Sequence, residues 1–412
     1  MAAIWHQLTE GFRTGAWLTP ARRRGYALIL IAIYGLATLV WVVTSDGMID
    51  RNGKPLGTDF SNVYAAGILA QRGEADVAYD WAREHATEKE IFGRDDVPFY
   101  GWHYPPLFLM AAAVLALLPY GWALFAWMAA TLPAYVATMR AIVPMPGTVL
   151  AALSFPAVFV NLGHGQNGFL STALIGGALL LIDVRPILAG VLIGLFAYKP
   201  QFGVLIPLVL LVTGRWTVIA SAAATVLAAC AATFALFGSK VWIAFAASTE
   251  ITRRIVLEAG GTGWEKIQSL FSAVRMWGGG IEAAYAAQLA LTLAVAASLV
   301  WLWRSSATHE LKAAALSLGT LLATPYVLDY DLVMLAVAIA FFVRHGLAHG
   351  FRDFEISLLA LAWFAPLIAR AFAQVTCIPL GLMVQIVLYV LILHRAACDV
   401  ATPHRSECLV QA

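Results

Sequence analysis

Charge is what this chain has least of. Of its 412 residues only 12% are Asp, Glu, Lys or Arg, against about 25% for a soluble domain. The net charge of +2 offers no basic field to a phosphate backbone, so no nucleic-acid partner is expected. Cysteine is scarce as well. Cys230, Cys377, Cys398 and Cys408 lie in apolar runs or in the tail, without a CxxC spacing, which argues against a disulfide framework and a zinc site. The chain has no P-loop and no HExxH, so P-loop nucleotide-driven and zinc-hydrolase chemistry lack their residues. No cofactor and no metal is expected. Internal repeats, linkers and low-complexity segments are also missing.

What the chain has in excess is apolar surface. Hydrophobic residues make up 61%, with 14 Trp, 21 Phe and 13 Tyr. A single soluble core stops growing near 250–300 residues, so hydropathy this high along 412 residues implies an integral, multi-pass membrane protein. Its spans should be helices, whose backbone satisfies itself in lipid. The first apolar run, Tyr26 to Val43, follows Arg22-Arg23-Arg24 and lacks a small-residue cleavage site before Asp46. It reads as an uncleaved first span with a cytoplasmic N-terminus, by the positive-inside bias.

The few charges are unevenly placed. Residues 44–106 hold 17 of the 50 charged residues and 11 of the 24 acids. This segment must be aqueous, and it follows a span that starts in the cytoplasm, so it is predicted to be a long first extracytoplasmic loop. Within it Phe60, Val63, Tyr64, Gly67 and Ile68 recur at steps of three and four, as in a helix lying on a membrane surface. Apolar runs follow near 107–119, 122–139, 149–162, 168–183, 187–199, 201–213, 217–237, 284–303, 311–325, 329–343, 355–373 and 377–394. Counted together they predict a bundle of about twelve transmembrane helices. Several between 149 and 213 fall short of the ~20 residues a crossing needs, and such broken helices surround protein-lined cavities. Arg140 conflicts with two full crossings in 107–139, so one of those runs is re-entrant. A second outer loop spans 238–283, and 396–412 reads as a cytoplasmic tail of what is otherwise one domain.

Several polar constellations could carry chemistry. Asp59, in Thr58-Asp59-Phe60-Ser61, is placed to act as a base towards a hydroxyl and equally to cap the helix that follows it. The loop ends in Phe99-Tyr100-Gly101-Trp102-His103-Tyr104-Pro105-Pro106, where aromatics either line a site or anchor at the interface. Gly163-His164-Gly165-Gln166-Asn167-Gly168 is a polar knot between short apolar runs, suited to hydrogen bonds with sugar hydroxyls or phosphate, or to an ordinary turn. Lys199 closes an apolar run, where a buried cation wants an anionic partner unless it snorkels out. Arg275 stands just before a span. Arg253-Arg254 suit anionic headgroups, and Asp329 and Asp331 interrupt a long apolar region.

Taken in order, these pieces form a pattern. Asp59-Phe60, Tyr64-Ala65-Ala66-Gly67, Gly73, Tyr79-Asp80, Tyr104-Pro105-Pro106 and Leu118-Pro119 are followed by Gly165-Gln166-Asn167, Ala189-Gly190, Tyr198-Lys199-Pro200-Gln201 and Thr324-Pro325-Tyr326. The series resembles glycosyltransferase family 87 of the GT-C superfamily, from about residue 26 to 395. The resemblance implies a GT-C-like membrane hexosyltransferase in the bacterial plasma membrane. It would move a sugar from a polyprenyl-phosphate-linked donor to a lipid or glycan acceptor on the extracytoplasmic face. The family's first-loop acid corresponds to Asp59. Mannose-transferring members often carry His near the late Ser/Thr-Pro stretch, where this chain has Thr324-Pro325-Tyr326-Val327-Leu328-Asp329-Tyr330-Asp331, so mannose is one candidate sugar and not a requirement. Displacing a lipid phosphate from a sugar carbon needs a base for the acceptor and cations for the leaving group. The expected site is therefore Asp59 as base, Lys199 and Arg275 on the donor phosphate, and His103, Tyr104, Gln166, Asn167, Asp329 and Asp331 around the substrate. A secondary transporter or lipid flippase is the alternative, although such proteins usually show inverted repeats and isolated mid-span charges.

Overall fold

A computed structural model describes residues 2–401; Cys408 and most of the 396–412 tail lie outside them. Among the described residues the chain is entirely helical, with only isolated β-bridges between loops. Six helices are long and apolar enough to cross a membrane: Pro20–Val43, Tyr120–Ile142, Trp216–Phe237, Ile281–Arg304, Asp329–His349 and Leu380–Ala401. A seventh crossing is counted if Glu355–Leu367 and Ala369–Thr376, bent by 75°, form one span. This is fewer than the twelve expected, and the difference lies in short helices. Pro106–Leu115, Gly168–Leu181, Pro186–Tyr198 and Pro200–Val212 hold 10–17 residues each, and ten residues rise only ~15 Å through a ~30 Å core. The 107–139 region is thus one short helix followed by one full span.

Pro20–Val43 shows the membrane logic plainly. Only Ala27 and Tyr34 are buried along its length, while Leu28, Ile33, Leu36, Leu39 and Val43 face outward. In the middle of the bundle the pattern reverses: His309–Leu322 and residues 329–342 bury most of their side chains. Short helices pack closely where glycine permits it. A Cβ at Gly190 would lie 1.7 Å from Ser221 Oγ and one at Gly194 2.5 Å from Thr225 Cβ. The small residues of Pro186–Leu195 therefore let it seat directly on Trp216–Phe237.

The first loop departs from its expected form. Its helix Phe60–Gln71 does not lie on a surface: Phe60, Val63, Tyr64, Ala65, Ala66 and Leu69 are all buried. A helix apolar on every side belongs inside. This one is held against the short helix Leu109–Leu115, where a Cβ on Gly67 would meet Ala112 O at 2.2 Å. The helix Trp81–Phe92 packs beside it, capped by the Asp80 side chain, which accepts from Ala82 N and Arg83 N. The second loop folds onto the first, with Phe245 of Lys240–Thr252 against the Tyr79 ring at 5.7 Å.

Candidate active site

Three chain breaks and two loops meet at one end of the bundle and enclose a cavity of about 490 Å³, within the size range of sites that hold small ligands. The first loop contributes Asp59, His103 and Tyr104; the break after Pro156–His164 contributes His164 and Gln166; the break at Tyr198-Lys199-Pro200 contributes Lys199. The second loop adds Lys266, and the stretch after Thr324 adds Tyr330 and Asp331. Arg370 completes the wall from the bent helix.

Asp59 precedes Phe60–Gln71 but makes no side-chain capping bond. Its carboxylate turns into the cavity instead. Gln166 Nε2 donates to Asp59 Oδ2 at 3.1 Å, His164 Nδ1 lies 3.7 Å from Oδ1 and Lys266 Nζ lies 3.8 Å from Oδ2. Thr58 Oγ1 holds the same His164 nitrogen at 2.8 Å. Burial by itself would push the Asp59 carboxyl up. The charge of Lys266, the charge and hydrogen bond of His164 and the Gln166 amide outweigh it, and hold the carboxyl well below the usual carboxylate range. Asp59 is an ionised acceptor that already has donors around it.

Gln166 is the joint of this arrangement. While its Nε2 donates to Asp59, its Oε1 accepts from Tyr104 OH at 3.0 Å and from Asn167 N at 3.1 Å. The turn that carries it depends on Gly165, whose φ of 59° is left-handed and whose Cβ would stand 2.7 Å from Phe60 Cβ. Only glycine lets the helix end at that point and abut the residue after Asp59. Tyr104 is fixed from behind by Tyr79 OH, which donates to its carbonyl at 3.0 Å. His103 Nδ1 pairs with Thr252 Oγ1 at 3.0 Å. Burial lowers the His103 imidazole to about 4 despite the opposing pull of Asp59, so His103 is neutral at pH 7 and serves as a hydrogen-bonding wall.

Lys199 does not snorkel. It is 3% exposed, and Nζ donates to Asp331 Oδ1 at 2.6 Å, while Leu328 N donates to Asp331 Oδ2 at 3.0 Å. The lysine has found its anion within the protein. Asp329 lies behind the wall: Tyr330 N donates to it at 2.9 Å, and Arg370 Nη1 reaches it at 3.5 Å. Asn167 is buried beside the cavity without lining it, and neither polar atom of its amide has a partner. Arg275 does not reach the cavity. Its guanidinium donates to Gly279 O and Glu258 O and stacks 4.9 Å from the Trp264 ring, bracing the second loop. Arg253 and Arg254 pair with Glu250 on the exposed side.

Two residues at the centre escape the sequence reading. Lys266 sits in a loop beside Glu265 with no apolar run around it to mark it, and only folding brings it to Asp59. Tyr330 lies between the flagged acids, and its ring stands 5.3 Å from Lys266 Nζ and 5.5 Å from Lys199 Nζ, a wall shared by two cations.

The fold and site define a multi-pass membrane protein that presents a buried, ionised carboxylate, amide and hydroxyl donors and a nearby lysine to one aqueous-sized cavity. The profile of glycosyltransferase family 87 matches residues 102–325, more than half of the chain, and the protein belongs to that family: it is a membrane glycosyltransferase. No curated protein and no solved structure matches it. The matched segment includes Tyr104, Gln166, Lys199 and Lys266 but begins after Asp59 and ends before Asp331, so the roles of those two acids rest on geometry.

Proposed function

We propose that the protein transfers a hexose from a polyprenyl-phosphate-linked donor to a lipid or glycan hydroxyl on the extracytoplasmic face of the plasma membrane, with Asp59 as the general base. The observation that carries this reading is the Asp59 carboxylate, which is released from any capping role and held open to a cavity formed by both polar loops. A base must be ionised and within reach of the acceptor proton; Asp59 is held ionised and lines the cavity an acceptor would enter.

Lys266 supplies the second half of the chemistry. It is the lysine nearest to Asp59, and its ammonium stands 3.8 Å from that carboxylate, a looser contact than the 2.6 Å of the Lys199–Asp331 pair. A donor phosphate entering the cavity competes with Asp59 for Lys266. As the ammonium turns to the phosphate, Asp59 keeps its burial but loses part of the charge that suppressed its proton affinity. The carboxylate therefore becomes a stronger base when the leaving group is in place, and the same ammonium stabilises the phosphate as it departs. Tyr104 OH, His103 and Gln166 are the hydrogen-bonding groups available to sugar hydroxyls, and Asp331 holds Lys199 and the 326–331 wall in position.

The test is Asp59→Asn, which keeps size while removing basicity. Purified variant and wild type are incubated with a panel of radiolabelled polyprenyl-phosphate sugars and membrane lipids. Loss of a positioned base costs ~10²–10⁴ in rate. An Asn variant that turns over at the wild-type rate overturns the assignment.

A further inference from the structure

The helix Trp81–Phe92 carries two acids, Glu84 and Glu88, one turn apart, and both are fully buried. Buried carboxylates are normally paired with a cation. Among the described residues no lysine, arginine or histidine pairs with either one. Their partners are backbone and hydroxyl donors instead. Trp102 N donates to Glu84 Oε2 at 3.1 Å, Tyr100 N donates to Glu88 Oε2 at 3.2 Å, and Ser61 Oγ donates to Glu88 Oε1 at 2.6 Å. The fourth oxygen, Glu84 Oε1, has no partner.

These contacts are aimed at the active site from behind. Tyr100 and Trp102 belong to the extended segment that leads into His103 and Tyr104, and Ser61 is two residues beyond Asp59. The two acids thus tie both first-loop contributions to the cavity together. Two like charges one helical turn apart in a dry interior cannot both be borne, so the pair retains at least one proton. The other titratable groups facing it are Asp59 from the neighbouring helix, Tyr100 on the clasped segment, Tyr79 on the 75–79 turn and Tyr120 at the head of its span. None of them is a cation.

We propose that Glu84 and Glu88 are positioning residues: as a pair that retains a proton they clasp the 100–102 backbone and the first turn after Asp59, and loss of that proton loosens the Tyr104 and Asp59 walls together. Burial and mutual repulsion push Glu84 far up, and burial, with Asp59 nearby, pushes Glu88 up to about 8. The folded state therefore holds a proton that the unfolded chain gives up near an ordinary Glu value, and the clasp weakens progressively as pH rises from that value to about 8. The clasp itself is independent of the reaction; only its effect on turnover rests on the function proposed above.

Hydrogen exchange of the full-length protein in nanodiscs, between pH 6 and 9 and corrected for intrinsic rates, tests this without any sugar donor. Protection of the Tyr100 and Trp102 amides should fall by at least about tenfold per pH unit from pH 6 up to about 8, where the closed pair still holds a proton that the opened clasp has given up, and fall less steeply above it. Glu84→Gln and Glu88→Gln each remove one of the two charges and should extend protection to higher pH. A flat wild-type profile, or the wild-type slope retained in both glutamine variants, overturns the proposal; if one variant does not fold, the other is read against the wild type. Protection that follows pH while transfer activity does not supports the clasp and counts against the reaction assigned to the cavity.

Discussion

Replacing Lys266 by Met keeps the stem and removes the ammonium 3.8 Å from Asp59 Oδ2. At that separation, with an effective dielectric of ~20, the attraction is about 4 kcal/mol, and both side chains are nearly out of water, so little of it is screened. Two effects should appear together. The donor phosphate loses a charge-assisted hydrogen bond worth roughly 1.5–3 kcal/mol, about ten- to a hundredfold in use of the donor. Asp59 loses the strongest of the influences that keep it ionised, so its proton affinity rises. Because the base must be unprotonated, the acid limb of kcat/KM moves to higher pH. The assay is initial rate against concentration of a radiolabelled polyprenyl-phosphate sugar, at fixed acceptor, from pH 5 to 8. Lys266→Arg, which keeps the charge, should recover most of the donor dependence. A Met variant with the wild-type donor dependence and acid limb would refute both the phosphate role and the competition between the phosphate and Asp59.

Further outcomes follow from the same structure. Lys199→Met should act on folding more than on donor use, since it strands the buried Asp331 carboxylate. Breaking such a pair costs about 3–5 kcal/mol, and Lys199→Met combined with Asp331→Asn should recover much of the lost Tm. The proposed orientation puts the first loop outside the cell. With the four native cysteines replaced, Asn52→Cys on the exposed loop tip should react with an impermeant maleimide in intact cells, and labelling only after permeabilisation would invert the orientation.

Much of the site was legible because polar groups in an apolar chain have few innocent places to go. Asp59, Tyr104, Gln166 and Lys199 could be singled out at breaks or loop ends, and all four line one cavity. The lysine's need for an anion could be read, but not which anion: Asp331 is 132 residues away, and no local pattern links them. Lys266 could not be found because a lone lysine in a polar loop carries no periodic signal. Arg275 was misplaced for the complementary reason: its spacing before a helix looks the same whether it faces a phosphate or two carbonyls of its own loop. The Phe60–Ile68 periodicity identified a helix correctly and its surroundings wrongly, since apolar spacing does not tell a membrane surface from a protein interior. The number of crossings failed on length alone, because half-spans are as apolar as full ones.

The Lys199–Asp331 pair also has a consequence for how the chain is made. At about 5–20 residues per second, the 132 residues between the partners take on the order of ten seconds to synthesise. During that interval the lysine lacks Asp331, and a lone cation is costly to place in lipid. Its place at the junction of two short helices, Pro186–Tyr198 and Pro200–Val212, removes the difficulty. A full-length span would carry the ammonium through lipid at once; a helix that stops there leaves it at a hinge where water can accompany it until Asp331 arrives. The cavity therefore cannot be finished before the Arg370 segment has been delivered.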